Sequence, residues 1–205
     1  NSWSSFSPAL DQYAIDAHWG TERTYDYMDS VHNRNSIDNN GFVLRSYVHY
    51  DFNYVNAFWD GQRMTYGDGD ATNSPLTTLD ITAHEIAHGW TDYTSDLIYA
   101  NESGALNESF SDILGVLVEF YSTPSSANWL IGEDIGRAIR SMSNPNSFGD
   151  PDTYGGINWV DQNCIPSSSN DRCGVHTNSG VQNYWFYLLV NGGLGLNDIG
   201  DSIKV

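Results

Sequence analysis

The chain has 205 residues, a net charge of −18 and a single lysine, Lys204. That length can bury a substantial core, as one domain or as two small lobes. So acidic a surface argues against nucleic acid and anionic membranes as partners, and no apolar run reaches the ~20 residues that span a bilayer.

The sequence opens on Asn1, with no charged-then-apolar leader before Ser2-Trp3-Ser4, as in a processed mature chain or an internal fragment. Ala9 to Val31 carries Leu10, Tyr13, Ala14, Ala17, Tyr25 and Met28 at helical spacing, which predicts a long helix. Phe42 to Phe52 alternates branched or aromatic residues with polar ones, the pattern of a half-buried strand. Short strands are expected around Ala57-Phe58-Trp59 and Arg63-Met64-Thr65-Tyr66, and Gly67-Asp68-Gly69-Asp70 and Asn73-Ser74-Pro75 are turn chemistry. A helix from about Thr78 to Thr94 follows, then one from about Gly104 to Tyr121 with the apolar stripe Ile113, Leu114, Leu117 and Val118. Ser122 to Asp171 is loop-rich, and a last helix starts near Asn178 and includes Tyr184 to Leu189. The order predicts an α+β fold: a mixed β/α lobe over 1–95 packed on a helical, loop-rich part over 96–205.

The chemistry is concentrated in His84-Glu85-Ile86-Ala87-His88. Residues four apart share a helix face, ~6 Å apart along the axis, so both imidazoles reach one ion, with Glu85 at the edge of that face. The pattern suits Zn²⁺, which favours nitrogen donors and keeps one position open in catalytic sites. Five residues alone could be an amphipathic helix with coincidental histidines. A third ligand, Glu108, on the next helix decides against that. Gly89 to Thr94 lacks the third histidine of the metzincin pattern. Asp112, one turn past Glu108, is the candidate hydrogen-bond partner of His84, and Asn107 of His88. His18, His32 and His49 belong to no motif and read as surface or structural residues.

Nineteen residues, 89–107, separate His88 from Glu108, the interval of the thermolysin group. Asp92-Tyr93-Thr94, Asp96-Leu97-Ile98-Tyr99 and Asn101 to Glu108 also resemble thermolysin-like metallopeptidases. So do Asn56-Ala57-Phe58-Trp59 upstream and Gly174 to Val181 downstream, and the likeness runs from about Asp16 to about Gly193. The resemblance implies a zincin core with the metal between two lobes, in a secreted, monomeric endopeptidase that cuts peptides and proteins before apolar residues. In it Glu85 is the general base, His176 and Tyr99 donate to the oxyanion, and Asp171 orients His176. Asn56 and Ala57 bind substrate backbone, Trp59 lies near substrate, and Arg140 holds a substrate carbonyl beyond the cut bond. Ile81, Ile139 and Leu76 line the pocket for the side chain just after it.

The same resemblance suggests calcium. Asp80, Glu119 and Glu133 match ligand positions, while Asn128 stands where an aspartate is expected, after a one-residue insertion. The short link Ile135 to Ile139 removes another calcium loop, so one ion is expected. The family has a further β-rich stretch before this start and a helical bundle beyond this end, so a fragment, or a catalytically incomplete zinc-binding module, is the alternative. A zinc aminopeptidase fits the ligand interval less well. Cys164 and Cys173 lack C-x-x-C spacing; two free thiols are one reading, and a disulfide stapling a polar loop before His176 is the expected one. Such a bond contributes ~2.5 kcal/mol and belongs to an oxidising compartment.

Overall fold

The computed structural model describes residues 8–204. Ser2-Trp3-Ser4 and the side chain of Leu10 lie outside the described residues. Helix α1 spans Pro8–His32, with proline at its first position, where no N–H is needed. Strands β1 (Ser46–Tyr50), β2 (Ala57–Trp59) and β3 (Met64–Gly67) follow, then helices α2 (Leu79–Asp92) and α3 (Asn101–Ser122). The long expected helices are all present, each within a few residues of its predicted bounds.

The three strands form one sheet in the order β1-β3-β2, with β1 parallel and β2 antiparallel to β3. The strand expected over Phe42 to Phe52 is shorter than its pattern. His49, Asp51 and Asn53 all have positive φ, which breaks the extended backbone, and the β1–β3 register shifts between Tyr47 and Tyr50. Phe42 and Leu44 still pack on the core from the preceding loop.

Helix α2 is the centre of the molecule, and its flanks are buried by α1 and α3. Two glycines permit this. A Cβ on Gly20 of α1 would lie 2.8 Å from the Thr82 Cβ, and one on Gly115 of α3 would lie 2.7 Å from the Asp80 carbonyl oxygen. Met28, Ile37, Met64, Tyr66, Ile86 and Val118 fill the main core. Ile113, Val116, Ile131 and Met142 form a second core on the other side of α3.

The loop-rich stretch holds one short antiparallel pair, β4 (Leu130–Ile131) and β5 (Arg140–Ser141), among 3₁₀ turns. Instead of one last helix there are two, α4 (Asp171–Asn178) and α5 (Gly180–Asn191). An unanticipated hairpin, β6 (Leu194–Leu196) with β7 (Ser202–Lys204), ends the described residues. Trp185, Leu189 and Val190 of α5 are half exposed, and Leu194 and Leu196 more so. Among the described residues no helix is long and apolar enough to cross a membrane.

Candidate active site

His84 and His88 stand one turn apart on α2, facing α3. Each ring is fixed by its Nδ1. That of His84 lies 2.9 Å from Asp112 Oδ1, and that of His88 lies 2.7 Å from Asn107 Oδ1 and 3.2 Å from Ser111 Oγ. Both Nε2 atoms therefore point at the same spot, 3.1 Å apart. Glu108 completes it, with carboxylate oxygens 3.4 Å from each Nε2. Among the described residues, these are the three His, Cys, Asp or Glu side chains whose ligand atoms converge within 4.8 Å.

The charges at this point are balanced against one another. Glu108 is fully buried and its Oε2 has no hydrogen-bond partner. Burial alone would raise its carboxyl, but His176, His88 and His84 outweigh that and hold it well below the usual range. Burial likewise opposes charge on His84, yet Asp112 and Glu108 push that imidazole up to about 10. Burial lowers His88. A proton held where two imidazoles and a carboxylate converge is what a divalent ion displaces on binding. With Nδ1 atoms engaged and Nε2 atoms free, the donor set fits zinc.

Behind the ligands lies a polar network that rests on Asp112, itself fully buried. Arg140 donates to it through Nε at 2.8 Å and Nη2 at 2.6 Å, and Asn183 donates through Nδ2 at 2.8 Å. Ser109 Oγ donates to Asn183 Oδ1 at 2.7 Å. Ser109, Ser111 and Asn183 were not anticipated. Asn183 follows Gln182 just ahead of the apolar run Tyr184 to Val190, and nothing in that pattern singled it out.

The ligands open into a cleft of about 880 Å³. Asn56, Ala57 and Trp59 line one wall, and Leu76, Ile81 and Ile139 form an apolar patch. Glu85, Tyr99, Arg140, Asp171 and His176 line the rest, so the expected catalytic and substrate-contacting residues share one cavity. Trp59 Nε1 donates to Asp92 Oδ2 at 2.7 Å, which fixes that ring. Tyr99 OH donates to Glu108 and lies 3.3 Å from His176 Nε2. Asp171 holds His176 twice, accepting from its backbone N–H at 2.9 Å and lying 2.5 Å from Nδ1. Burial opposes charge on His176, but Glu108 and Asp171 outweigh it and raise its affinity for a proton. Arg137, Ser168 and Arg172 also line the cleft and carried no motif.

The acidic cluster forms at the other end of the α2–α3 pair. Asp80 accepts from Thr78 Oγ1 at 2.6 Å and from the Gly132 N–H. Burial, then Glu133, Asp80 and Asp134, push Glu119 up to about 8. Glu119 Oε2 and Glu133 Oε2 are buried without partners. Asn128 joins this cluster. Its amide donates to Glu133, and its oxygen accepts from the Leu130 N–H at 2.8 Å and keeps one lone pair.

A mononuclear zinc centre built on an H-E-x-x-H helix, with a glutamate from the next helix, is the class that this fold and donor set define. The thermolysin metallopeptidase catalytic domain matches residues 1–92, and the thermolysin metallopeptidase alpha-helical domain matches residues 95–204. Bacillolysin of Bacillus cereus is 48% identical over 92% of this chain and 33% of its own length. Thermolysin of Alicyclobacillus acidocaldarius subsp. acidocaldarius is 46% identical over 93% of this chain and 35% of its own. The precursor of protealysin, a metalloproteinase from Serratia proteamaculans, superposes with a TM-score of 0.77 and 36% identity, over 92% of this chain and 62% of that one. The chain belongs to the thermolysin metallopeptidase family. It spans about a third of the length of these curated relatives.

Proposed function

We propose that this chain forms the catalytic core of a secreted, monomeric zinc endopeptidase that cuts peptides and proteins on the amino side of apolar residues. The observation that carries the reading is the meeting of His84, His88 and Glu108 in the same cleft as Glu85. Its two parts, 1–95 and 96–205, contribute opposite walls of the site. When bound, zinc supplies Lewis acidity, enough to make water a nucleophile near neutral pH.

The chain's own residues do the rest. Glu85 takes the proton of the attacking water and passes it to the leaving nitrogen. Tyr99 and His176 donate hydrogen bonds to the oxyanion, with His176 aimed by Asp171. Asn56 and the Ala57 carbonyl hold substrate backbone, and Trp59 walls the cleft beside it. Leu76, Ile81 and Ile139 receive the apolar side chain after the cut bond, where burial favours Leu or Phe. Arg140 holds the next substrate carbonyl while anchored on Asp112. Asp80, Glu119 and Glu133 hold one calcium ion, the repulsion among them and their unpartnered oxygens being the support for a cation there. A disulfide between Cys164 and Cys173 accords with an oxidising compartment.

A second reading is a zinc-binding module without turnover. It is favoured by the apolar side chains of α5 and the β6–β7 hairpin that stand exposed. Glu85→Gln separates the two. The variant keeps zinc and fold and loses at least ~10²-fold in cleavage of a peptide with Leu or Phe after the scissile bond. Equal cleavage by variant and parent refutes the general-base role. Zinc in both and cleavage by neither favours the module.

A further inference from the structure

The residues that aim His176 sit on an unusual piece of backbone. Asp171, Arg172, Cys173 and Gly174 have φ of +52°, +49°, +71° and +75°, a full left-handed turn at the start of α4. Only Gly174 adopts that region without penalty; left-handed L-residues occur singly, since each Cβ crowds the following carbonyl. Such a run persists only where its surroundings over-determine it.

Several restraints meet here. Cys173, fully buried, is joined to Cys164 across the loop, with Cα atoms 6.1 Å apart. Its N–H donates to Asn170 Oδ1 at 3.2 Å, and Gln162 Nε2 donates to its carbonyl at 3.1 Å. The covalent link is the restraint that solvent cannot replace. Two residues before Cys173, the Asp171 carboxylate takes both the backbone N–H and Nδ1 of His176. The other ring nitrogen of His176 faces the cleft, 3.3 Å from Tyr99 OH.

We propose that the Cys164–Cys173 disulfide is a positioning device for the catalytic histidine: it locks the left-handed turn that presents Asp171 to His176. The proposal rests on the peptidase reading above. Without the link, residues 172 and 173 relax toward ordinary backbone, Asp171 rotates away and the imidazole loses its aim. Zinc, held by α2 and α3, is untouched.

Two double variants test this. Cys164→Ser with Cys173→Ser breaks the link and leaves an L-residue at φ +71°; Cys164→Ser with Cys173→Gly breaks it and removes the penalty. The first loses about ten- to hundredfold in kcat, the scale of a misplaced catalytic group, with KM within about twofold and one zinc per chain retained. The second regains most of that kcat. An activity-independent readout is cleavage by added trypsin after Arg172, followed by mass spectrometry: fastest in the serine variant, slower in the glycine one, slowest in the parent. Equal kcat in both variants, whether reduced or at the parent's level, overturns the proposal and leaves the bond a simple stability staple. A parent that cuts no peptide while trypsin follows the stated order removes the peptidase reading and leaves the clamp standing.

Discussion

Replacing Asp112 by Asn tests how far the zinc site depends on charge outside its ligands. Each carboxylate oxygen of Asp112 takes two donors: Oδ1 from His84 Nδ1 and Arg140 Nη2, Oδ2 from Arg140 Nε and Asn183 Nδ2. An amide has one oxygen, so whichever way it turns, its NH₂ faces two buried donors. Arg140 also keeps its charge, because a guanidinium does not give up its proton inside a protein. Leaving a buried guanidinium without its anion costs ~3–5 kcal/mol. The nearest remaining carboxylate is Glu108, whose Oε2 lies 3.9 Å from Arg140 Nη2, so the freed cation competes with zinc for a ligand. Lost support of His84 weakens metal binding ~10–100-fold. Urea unfolding of zinc-free protein reads the first effect, and competition with a chromogenic chelator reads the second. Adding Arg140→Met to the variant removes the stranded charge, so the double change costs less than the sum of the singles. A loss below ~1 kcal/mol with unaltered zinc affinity would refute the reasoning.

Asp150 gives a pH signature. Burial lifts its carboxyl from 3.8 to about 7 although Arg140 pulls the other way. Between those values the folded form keeps a proton that the unfolded form has lost, so stability falls as pH rises through the window. Asp150→Asn removes that loss: allowing for solvent screening, the variant gains ~1–2 kcal/mol over its parent at pH 7.5 and nothing at pH 4, by urea melts at both. Parallel curves refute the assignment. Calcium at a hundredfold excess over its dissociation constant adds ~2.7 kcal/mol of stability, read as a rise in melting temperature of calcium-free protein. Glu119→Gln abolishes that rise while leaving the calcium-free protein at least as stable, since it removes a repelled buried charge; a full calcium response in the variant takes Glu119 out of the site. Gly115→Ala drives a Cβ to 2.7 Å from the Asp80 carbonyl oxygen and costs ~1–3 kcal/mol by urea unfolding. An unchanged midpoint would mean that α2 and α3 pack less closely than described.

The zinc ligands were legible because two of them are fixed by local spacing and the third by a constant interval between helices. Asp112 and Asn107 followed from the same helix geometry. His176 lies 77 positions from Tyr99, a pairing visible in the sequence only through motif resemblance. The left-handed turn left little local trace: only its last residue, Gly174, is a glycine, and Asp171-Arg172-Cys173 before it carries none. The overlong strand at Phe42 to Phe52 failed for a similar reason: His49 and Asp51 hide positive φ inside an alternating pattern, and Asn53 does so just beyond it. The hairpin β6–β7 is three residues a side, too short for periodicity to register. Calcium was read from side-chain type, which could not show that the Asn128 oxygen also accepts from a backbone N–H.

One helix crossing ties these sites together. Along α2 and α3 the contacts run antiparallel in a constant register: Asp80 meets Gly115, His84 meets Asp112, and His88 meets Asn107. Each step of about one turn on α2 is matched by one in reverse on α3, so the acidic cluster, the packing glycine and the zinc ligands are read off one alignment. A slip of one residue would turn His84 and His88 away from Glu108 and Asp80 away from Glu119 together. Repulsion among Glu119, Glu133 and Asp80 at the acidic end opposes that register. Buried apolar packing, with Ile86 and Val118 fully enclosed, holds it together with the His84–Asp112 and His88–Asn107 hydrogen bonds. A cation at either end would stabilise the same crossing, so the zinc site and the proposed calcium site are linked through the helix pair without sharing a ligand.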